Sequence, residues 1–414
     1  MDASEVLALG LGVTLPWRLG SQHLDTNKSP HELHLHLQCD RGTTFACAEC
    51  GRPCKAHDFS EFRWRHLNFF QHHCYITARV PRTDCPEHGV KRIRVPWARE
   101  GSGFTLLFEQ AALMLAREMP VLAAAREMAI TDQRLWRIIT HYVGAALERL
   151  DLADLKAVAF DETASKRGHN YVTIFIDLDR KSRPVVFATP GKGKETVRRF
   201  KDFLAVHNGK PGQIAEVVCD MSPAFLAAVG ETFPEASVTV DWFHVVQLFT
   251  RALDEVRKSE AKLVKMPTAV RWAVLKAKEK NLTAKQETAL AELEASGLLT
   301  GVAWQIKEKL RWVRVAPTLQ AARWRLSNFI RHARDKVTGG PLLAPVLTAI
   351  ETLEKQKDRI LRRWTSTYSN ARMEALNGIF KAARARARGY RNTHTFISMI
   401  YLIAAPLRDI LKST

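Results

Sequence analysis

The chain has 414 residues, room for roughly two to four domains, and its 46% hydrophobic content can bury a sizeable core. Sixty-two Lys and Arg stand against 43 Asp and Glu, and the formal charge of +19 is spread through every segment rather than held in a tail. Such an excess points to a polyanionic partner, with nucleic acid first because released counterions supply sequence-independent binding energy. No apolar run of about 18 residues and no basic-then-apolar leader is present, so a cytoplasmic protein with no membrane partner is expected. Seven Cys, an odd number, point in a reducing compartment to metal binding and buried thiols rather than disulfides.

Residues 1–40 form an N-terminal segment that says little. Leu7 to Trp17 is apolar without a period, and Leu33 to Leu37 alternates like a half-buried strand that puts His34 and His36 on one face. Residues 41–100 read as a zinc-ribbon domain suited to DNA contact. Cys47-Ala-Glu-Cys50-Gly51 is one knuckle, and Cys85-Pro-Glu-His88-Gly89 has the same form. Three Cys and one His make a closed structural Zn2+ site, with Cys54 and Cys74 spare and able to replace one of the four. Phe62 to Trp64 and Tyr75 to Val80 supply the hairpin between them. Arg63, Arg65, Lys91, Arg92 and Arg94, interleaved with Trp64 and Trp97, have a composition suited to DNA.

The period turns helical over 104–150. Leu106 to Ala116, Val121 to Ala129 and Asp132 to Val143 make three helices, broken at Pro120 and at Ile130-Thr131, with Asp132 as N-cap of the third. Leu135, Trp136, Ile139 and Tyr142 give that helix an apolar face. Small residues at Ala125 and Ala129 permit a close crossing, as a helix-turn-helix requires, so Gln133, Arg134 and Arg137 project as DNA-binding residues. An ordinary three-helix linker is the plainer alternative.

From 156 to 250 the order is strand, strand, strand, helix, strand, helix, strand, which is the order of the ribonuclease H-like fold. Ala157 to Phe160 is a buried strand ending on Asp161-Glu162, the fourth strand ends on Asp220, and the fifth ends on Asp241, three residues before His244. In that fold the first and fourth strands lie side by side, so Asp161 and Asp220 should converge. Residues 251–364 form a large all-α insertion whose Trp272, Trp304, Trp312 and Trp324 read as core rather than base-stacking platforms. Residues 365–414 carry a last helix and a basic tail. At about 100° per residue Asn370, Glu374, Asn377 and Lys381 share one narrow face, opposite Met373, Leu376, Ile379, Phe380 and Ala383. Lys381, Arg384, Arg386 and Arg388 then form an acid-free run that reads as a phosphate-binding track.

These residues together resemble the bacterial insertion-sequence DDE transposases of the IS-L-three family. The likeness rests on Asp161-Glu162 with Lys166-Arg167-Gly168-His169 and Tyr171, on Cys219-Asp220-Met221-Ser222, on Asp241-Trp242-Phe243-His244, and on Asn370-x-x-x-Glu374-x-x-Asn377. It runs from about Cys47 nearly to the end, ribbon and helix-turn-helix included; His88 stands where relatives often carry a fourth Cys. The resemblance implies a ribonuclease H-like catalytic core holding two Mg2+ ions, with Mn2+ as a substitute, on Asp161, Asp220 and Glu374. Asp241, His244, Asn370 and Asn377 stand behind them. It further implies nicking at the element's end, attack of the freed 3′-OH on target DNA, and a homodimer or larger assembly on double-stranded terminal inverted repeats. Two other readings are a non-catalytic DNA-binding regulator and a nuclease on the same fold that cuts without joining.

Overall fold

The computed structural model describes residues 7–8, 11–166, 170–266, 268–275, 282–337 and 340–406. Arg167, Gly168 and His169 of the basic turn lie outside the described residues. The chain divides between Arg149 and Leu150 into two compact units, each described by itself.

The first unit is built on a six-stranded sheet. Its strands are β1 (Trp17–Asp25), β2 (Glu32–Cys39), β3 (Thr44–Ala46), β4 (Pro53–Phe69), β5 (His72–Cys85) and β6 (Gly89–Arg92), ordered β1-β2-β5-β4-β3 with β6 on β5. Leu33, Leu35 and Leu37 point inward from β2, as their alternation requires. The long β4–β5 hairpin pairs Phe62 with Ala78 and Trp64 with Ile76. Two parts of the DNA-contact reading do not hold. Arg65 is buried and donates to the carbonyls of Cys74 and His66 and to Asn68, so it closes the hairpin instead of facing a ligand. Trp64 and Trp97 meet edge to face at 5.6 Å, and Trp17 meets Trp97 at 5.0 Å, so these rings fill a core.

Three helices follow: α1 (Leu106–Glu118), α2 (Val121–Glu127) and α3 (Asp132–Glu148). Thr131, not Asp132, caps α3, because the Thr131 hydroxyl accepts from the Arg134 N–H and leaves Asp132 as the first helical residue. Ala129 in the preceding turn has φ +52, which the short side chain tolerates. Behind this turn, fully buried Glu109 accepts from Arg99 at 2.9 Å, Ser102 at 2.7 Å and the Tyr142 hydroxyl at 2.9 Å, tying α1 to α3 and to the loop before them.

The second unit has a five-stranded sheet of β7 (Ala157–Ala164), β8 (Tyr171–Asp177), β9 (Val185–Pro190), β10 (Glu216–Cys219) and β11 (Ser237–Val240), ordered β11-β10-β7-β8-β9. β7, β8 and β9 run antiparallel as consecutive hairpins, whereas β10 lies parallel to β7 and β11 parallel to β10. The helices are α4 (Lys194–Val206), α5 (Pro223–Thr232), α6 (Trp242–Glu260), α7 (Thr268–Leu275), α8 (Ala284–Ala295), α9 (Leu299–Arg314), α10 (Leu319–Lys336), α11 (Ala344–Lys355), α12 (Lys357–Leu361), α13 (Ala371–Arg386) and α14 (Thr393–Ala404). α4 stacks Phe200 on Phe175 at 4.4 Å, and the Tyr401 hydroxyl of α14 accepts from the Ala188 N–H at 2.8 Å, so helices are fixed to both sheet strands. No described helix is long and apolar enough to cross a membrane.

Helices α6 to α12 share one apolar cluster that starts at Val240 and Trp242 and runs to Leu361. Buried Glu260 accepts from the N–H groups of Leu299 and Thr300, both at 2.8 Å, and so caps α9 from the end of α6. Of the four Trp residues read as core, only Trp304 is, at 1% exposed; Trp272, Trp312 and Trp324 are 51%, 40% and 61% exposed. Their spacing carries the ring to the outer side of each helix pair. Replacing Glu109 by Ala leaves the Arg99 charge and the buried Tyr142 hydroxyl without their acceptor. The expected loss is about 3 kcal/mol from the first unit in chemical denaturation.

Candidate active site and metal knuckle

The sheet register sets the site. β7 and β10 pair Val218 with Ala159, and β10 and β11 pair Cys219 with Val240. Continuing each register by the next residues brings Asp161, Asp220 and Asp241 into one row across three adjacent parallel strands. The row lies just past β10 and β11 but midway along β7, which runs on to Ala164 instead of ending on Asp161-Glu162 because it stays paired with β8. Asp161 and Asp220 therefore converge as expected. Asp241, placed behind them on sequence grounds, stands in the same row.

Each aspartate accepts from a backbone N–H one or two residues after it. Asp161 accepts from the Glu162 N–H at 2.8 Å, Asp220 from the Ser222 N–H at 2.9 Å, and Asp241 caps α6 through the Phe243 N–H at 3.2 Å. Helix α13 then lies over the row. Asn377 donates to Asp161 at 2.8 Å, and Asn370 donates to Asp241 at 3.2 Å. The polar stripe of α13 is thus not solvent-facing along its length. Asn370 and Asn377 are buried with Met373, Phe380 and Ala383, because their amides reach the carboxylates, while Ile379 is 48% exposed. Glu374 is exposed at the margin of that face, near enough to Asp241 for the two carboxyls to influence each other.

The electrostatics follow from crowding acids on a buried edge. Burial first, and then repulsion from Asp220 and Asp241, carries Asp161 above the usual carboxylate range, against the Glu162 N–H and the charge of His244. Burial likewise raises Asp220, helped by Asp241. Glu374 is raised by burial and by the nearby charge of Asp241. Asp241 moves the other way: burial would raise it, but hydrogen bonds from His244, the Phe243 N–H and Asn370 hold it below the usual range. His244 sits 3.2 Å from Asp241; burial would lower it, but Asp241, Asp161 and Asp220 raise it above an ordinary His. The residue that the sequence reading passed over is Glu162. Burial, then Asp220 and Asp161, push it up to about 7.

Such an edge, rich in hard oxygen donors, suits a divalent cation. The acceptor oxygens of Asn370 and Asn377 are buried there without a hydrogen-bond partner among the described residues, leaving two oxygens free for a hydrated ion. The carboxylates are not drawn into a single tight shell. The group of His, Cys, Asp and Glu that meets that spacing among the described residues is instead in the first unit.

There, the ligand atoms of Cys47, Cys50, Cys85 and His88 all lie within 4.8 Å of one another. Cys47 Sγ is 3.9 Å and Cys85 Sγ 3.6 Å from His88 Nδ1, and Cys50 Sγ is 3.8 Å from Cys85 Sγ. Ligands about 2.3 Å from a tetrahedral zinc are separated by about 3.8 Å, so the four positions fit one. The His88 hydrogen bond, foremost, brings the Cys85 thiol down to about 6, toward the thiolate that a metal needs. Gly51 and Gly89 follow the knuckles with φ +74 and +66, the conformation that turns each loop back. Of the spare thiols, Cys74 packs on Leu33 and Leu35 in a separate apolar cluster, and burial pushes it up to about 11. Cys54 is buried against Cys47 and Cys85 but donates to the Arg52 carbonyl.

The remaining basic residues divide. Gln133, Arg134 and Arg137 are exposed on α3, with the Arg134 guanidinium 4.2 Å from the Phe104 ring centroid. Lys381, Arg386 and Arg388 are exposed on and after α13, whereas Arg384 donates to the Ala164 carbonyl and fastens the helix to β7.

Residues 43–88 match the model of the zinc-finger of IS204/IS1001/IS1096/IS1165 transposases, and residues 93–143 match the helix-turn-helix domain of transposase family ISL3. Residues 158–400, more than half the chain, match the ISL3 transposase model. The chain belongs to the ISL3 transposase family. Among its relatives, the transposase for insertion sequence element IS1557 of Mycobacterium tuberculosis is 33% identical over 215 residues, 51% of this chain. The match spans 48% of that relative, about half its length. The transposase for insertion sequence element IS1001 of Bordetella parapertussis is 26% identical over 366 residues, 86% of this chain and 87% of the relative. The ISL3 model thus covers all three strands that carry the aspartate row, and α13 with them.

A carboxyl raised by folding costs stability above its folded value, and the cost disappears as pH falls through that value toward the unfolded one. Glu162→Gln should therefore stabilise the metal-free protein at pH 8 by roughly 2 kcal/mol, after discounting for partial exposure. The gain should vanish between pH 7 and about 4.5, where wild-type Glu162 is itself protonated. Melting curves across that range, in chelator, give the comparison.

Proposed function

We propose that this ISL3 family member binds the terminal inverted repeats of its insertion sequence and catalyses divalent-cation-dependent DNA cleavage and strand transfer. The observation that carries the reading is the in-register row of Asp161, Asp220 and Asp241 under Glu374. A sheet ordered β11-β10-β7-β8-β9, with its second strand antiparallel to the first, supports a ribonuclease H-like core.

On this reading Asp161, Asp220 and Glu374 hold the cations. Two Mg2+ ions, or Mn2+ in their place, would stabilise the attacking and leaving oxygens of the phosphodiester together. Asn377 fixes the rotamer of Asp161, while Asn370 and His244 fix Asp241. His244 lies beside the row, raised above an ordinary His by Asp241, Asp161 and Asp220 against the effect of burial. Cys47, Cys50, Cys85 and His88 hold a structural Zn2+ that orders the ribbon. Gln133, Arg134 and Arg137 face the repeat, and Lys381, Arg386 and Arg388 follow the phosphates. Arg384 is better placed to hold α13 on β7. Because two ends must be brought together, the acting form is a homodimer or larger assembly on DNA, in the cytoplasm at the nucleoid.

Offered a duplex ending in its own terminal repeat with Mg2+, the protein should nick and then join. Asp161→Asn and Glu374→Gln should each lower cleavage at least ~100-fold, about 2.7 kcal/mol of barrier, while repeat binding persists. Binding without cleavage in the wild type would leave a DNA-binding regulator, and cutting without joining would leave a nuclease. The purified protein should also carry about one equivalent of zinc per chain, lost together with repeat binding in Cys47→Ser.

A further inference from the structure

A cavity of about 600 Å3 in the second unit is lined by Asp220 and His244 and also by three cations, Arg251, Lys355 and Arg359. Arg251 comes from α6, whereas Lys355 and Arg359 come from α11 and α12 at the far end of the helical segment. Asp220 is the single acid in that lining.

How these cations are held is the informative point. Arg251 donates to Gln247 at 2.9 Å, and Arg359 donates to buried Gln356 at 2.6 Å. An amide oxygen orients a guanidinium without cancelling its charge. Neighbours on the same helices are treated differently: Arg257 and Lys258 pair with Asp254, and Glu354 pairs with Arg334. Among the described residues, Arg251, Lys355 and Arg359 form no ion pair. Three positive charges facing one acid, Asp220, around a single concavity leave a net excess that makes a site for an anion, and guanidinium forks match phosphate oxygens. The same cavity offers Met221, Leu226 and Leu248 as apolar wall, which suits a sugar and base rather than a free inorganic ion.

We propose that this cavity seats the nucleotide adjoining the scissile phosphate, with its phosphate on Arg251, Lys355 and Arg359 and its sugar and base against Met221, Leu226 and Leu248. The helical segment is then part of the DNA-binding surface of the active centre. This rests on reading the carboxylate row as the cleavage site.

The test uses the full chain, in chelator, with a terminal-repeat duplex carrying 4-thiothymidine beside the cleavage position. Irradiation should cross-link it to peptides containing residues 221–226, 244–251 or 352–359. The Lys355→Gln/Arg359→Gln double variant should lose that cross-link at least ~10-fold, while total repeat binding weakens only modestly and its salt dependence flattens by at most about 1 counterion, the share of a single phosphate. Arg359→Lys, which keeps the charge, should retain most of the cross-link and serves as the folding control. Equal cross-linking in wild type and double variant, or cross-links only outside these peptides, would overturn the proposal. Cross-linking there in a protein that cleaves with no divalent cation would keep the cavity and remove the catalytic reading. Cleavage without the cross-link would remove the cavity alone.

Discussion

Three aspartates in register on three adjacent parallel strands set the terms for the second unit. Carboxylates that close repel one another, and partial burial raises the cost, so nothing about the row favours folding by itself. It persists because the strands beneath it are over-determined. Val158, Ala159 and Phe160 of β7, and Val217, Val218 and Cys219 of β10, are all at most 1% exposed. Consecutive buried residues mean that both faces of these strands are covered, so a slip of either would mismatch packed volumes on both faces. The apolar register thus forces the acidic one, and strain is stored where a cation can relieve it.

Helix α13 is the second half of that arrangement. An amphipathic helix normally turns an unbroken apolar stripe inward, but α13 gives up two positions of its buried face to Asn370 and Asn377. Each amide donates to a carboxylate, and its oxygen is buried without a hydrogen-bond partner among the described residues. Arg384 adds a bond to the Ala164 carbonyl one turn past Phe380. The helix is therefore located by polar contacts to the very residues it serves, and Glu374 inherits its position from them.

Much of this was legible in the sequence. The Cys47-x-x-Cys50 and Cys85-x-x-His88 knuckles named the four residues that the fold gathers. The misses have physical causes. Asp241 looked secondary because strand register, which puts it level with Asp220, is a long-range property. Glu162 looked like a neighbour of Asp161, since the sequence does not reveal how near it lies to Asp220. Arg65, Trp64 and Trp97 looked like a DNA-contact set because composition cannot tell a buried guanidinium with three acceptors from an exposed one. Trp312 and Trp324 failed in the opposite sense, for helical spacing alone does not say which side a neighbour covers.

The charge balance at the row explains why His244 belongs to it. With His244 protonated against Asp241, that pair sums to zero and leaves Asp161, Asp220 and Glu374 at −3. On the proposed reading a phosphodiester adds −1, and two divalent cations add +4, so the loaded centre is neutral. Were Asp241 free instead, the same centre would keep a surplus negative charge on a buried edge. Were His244 elsewhere, Asp241 would compete with Asp161 and Asp220 for the cations. The hydrogen bonds to Asp241 from His244, Asn370 and the Phe243 N–H engage both its oxygens, which sets the third acid of the row apart from Asp161 and Asp220 as a ligand.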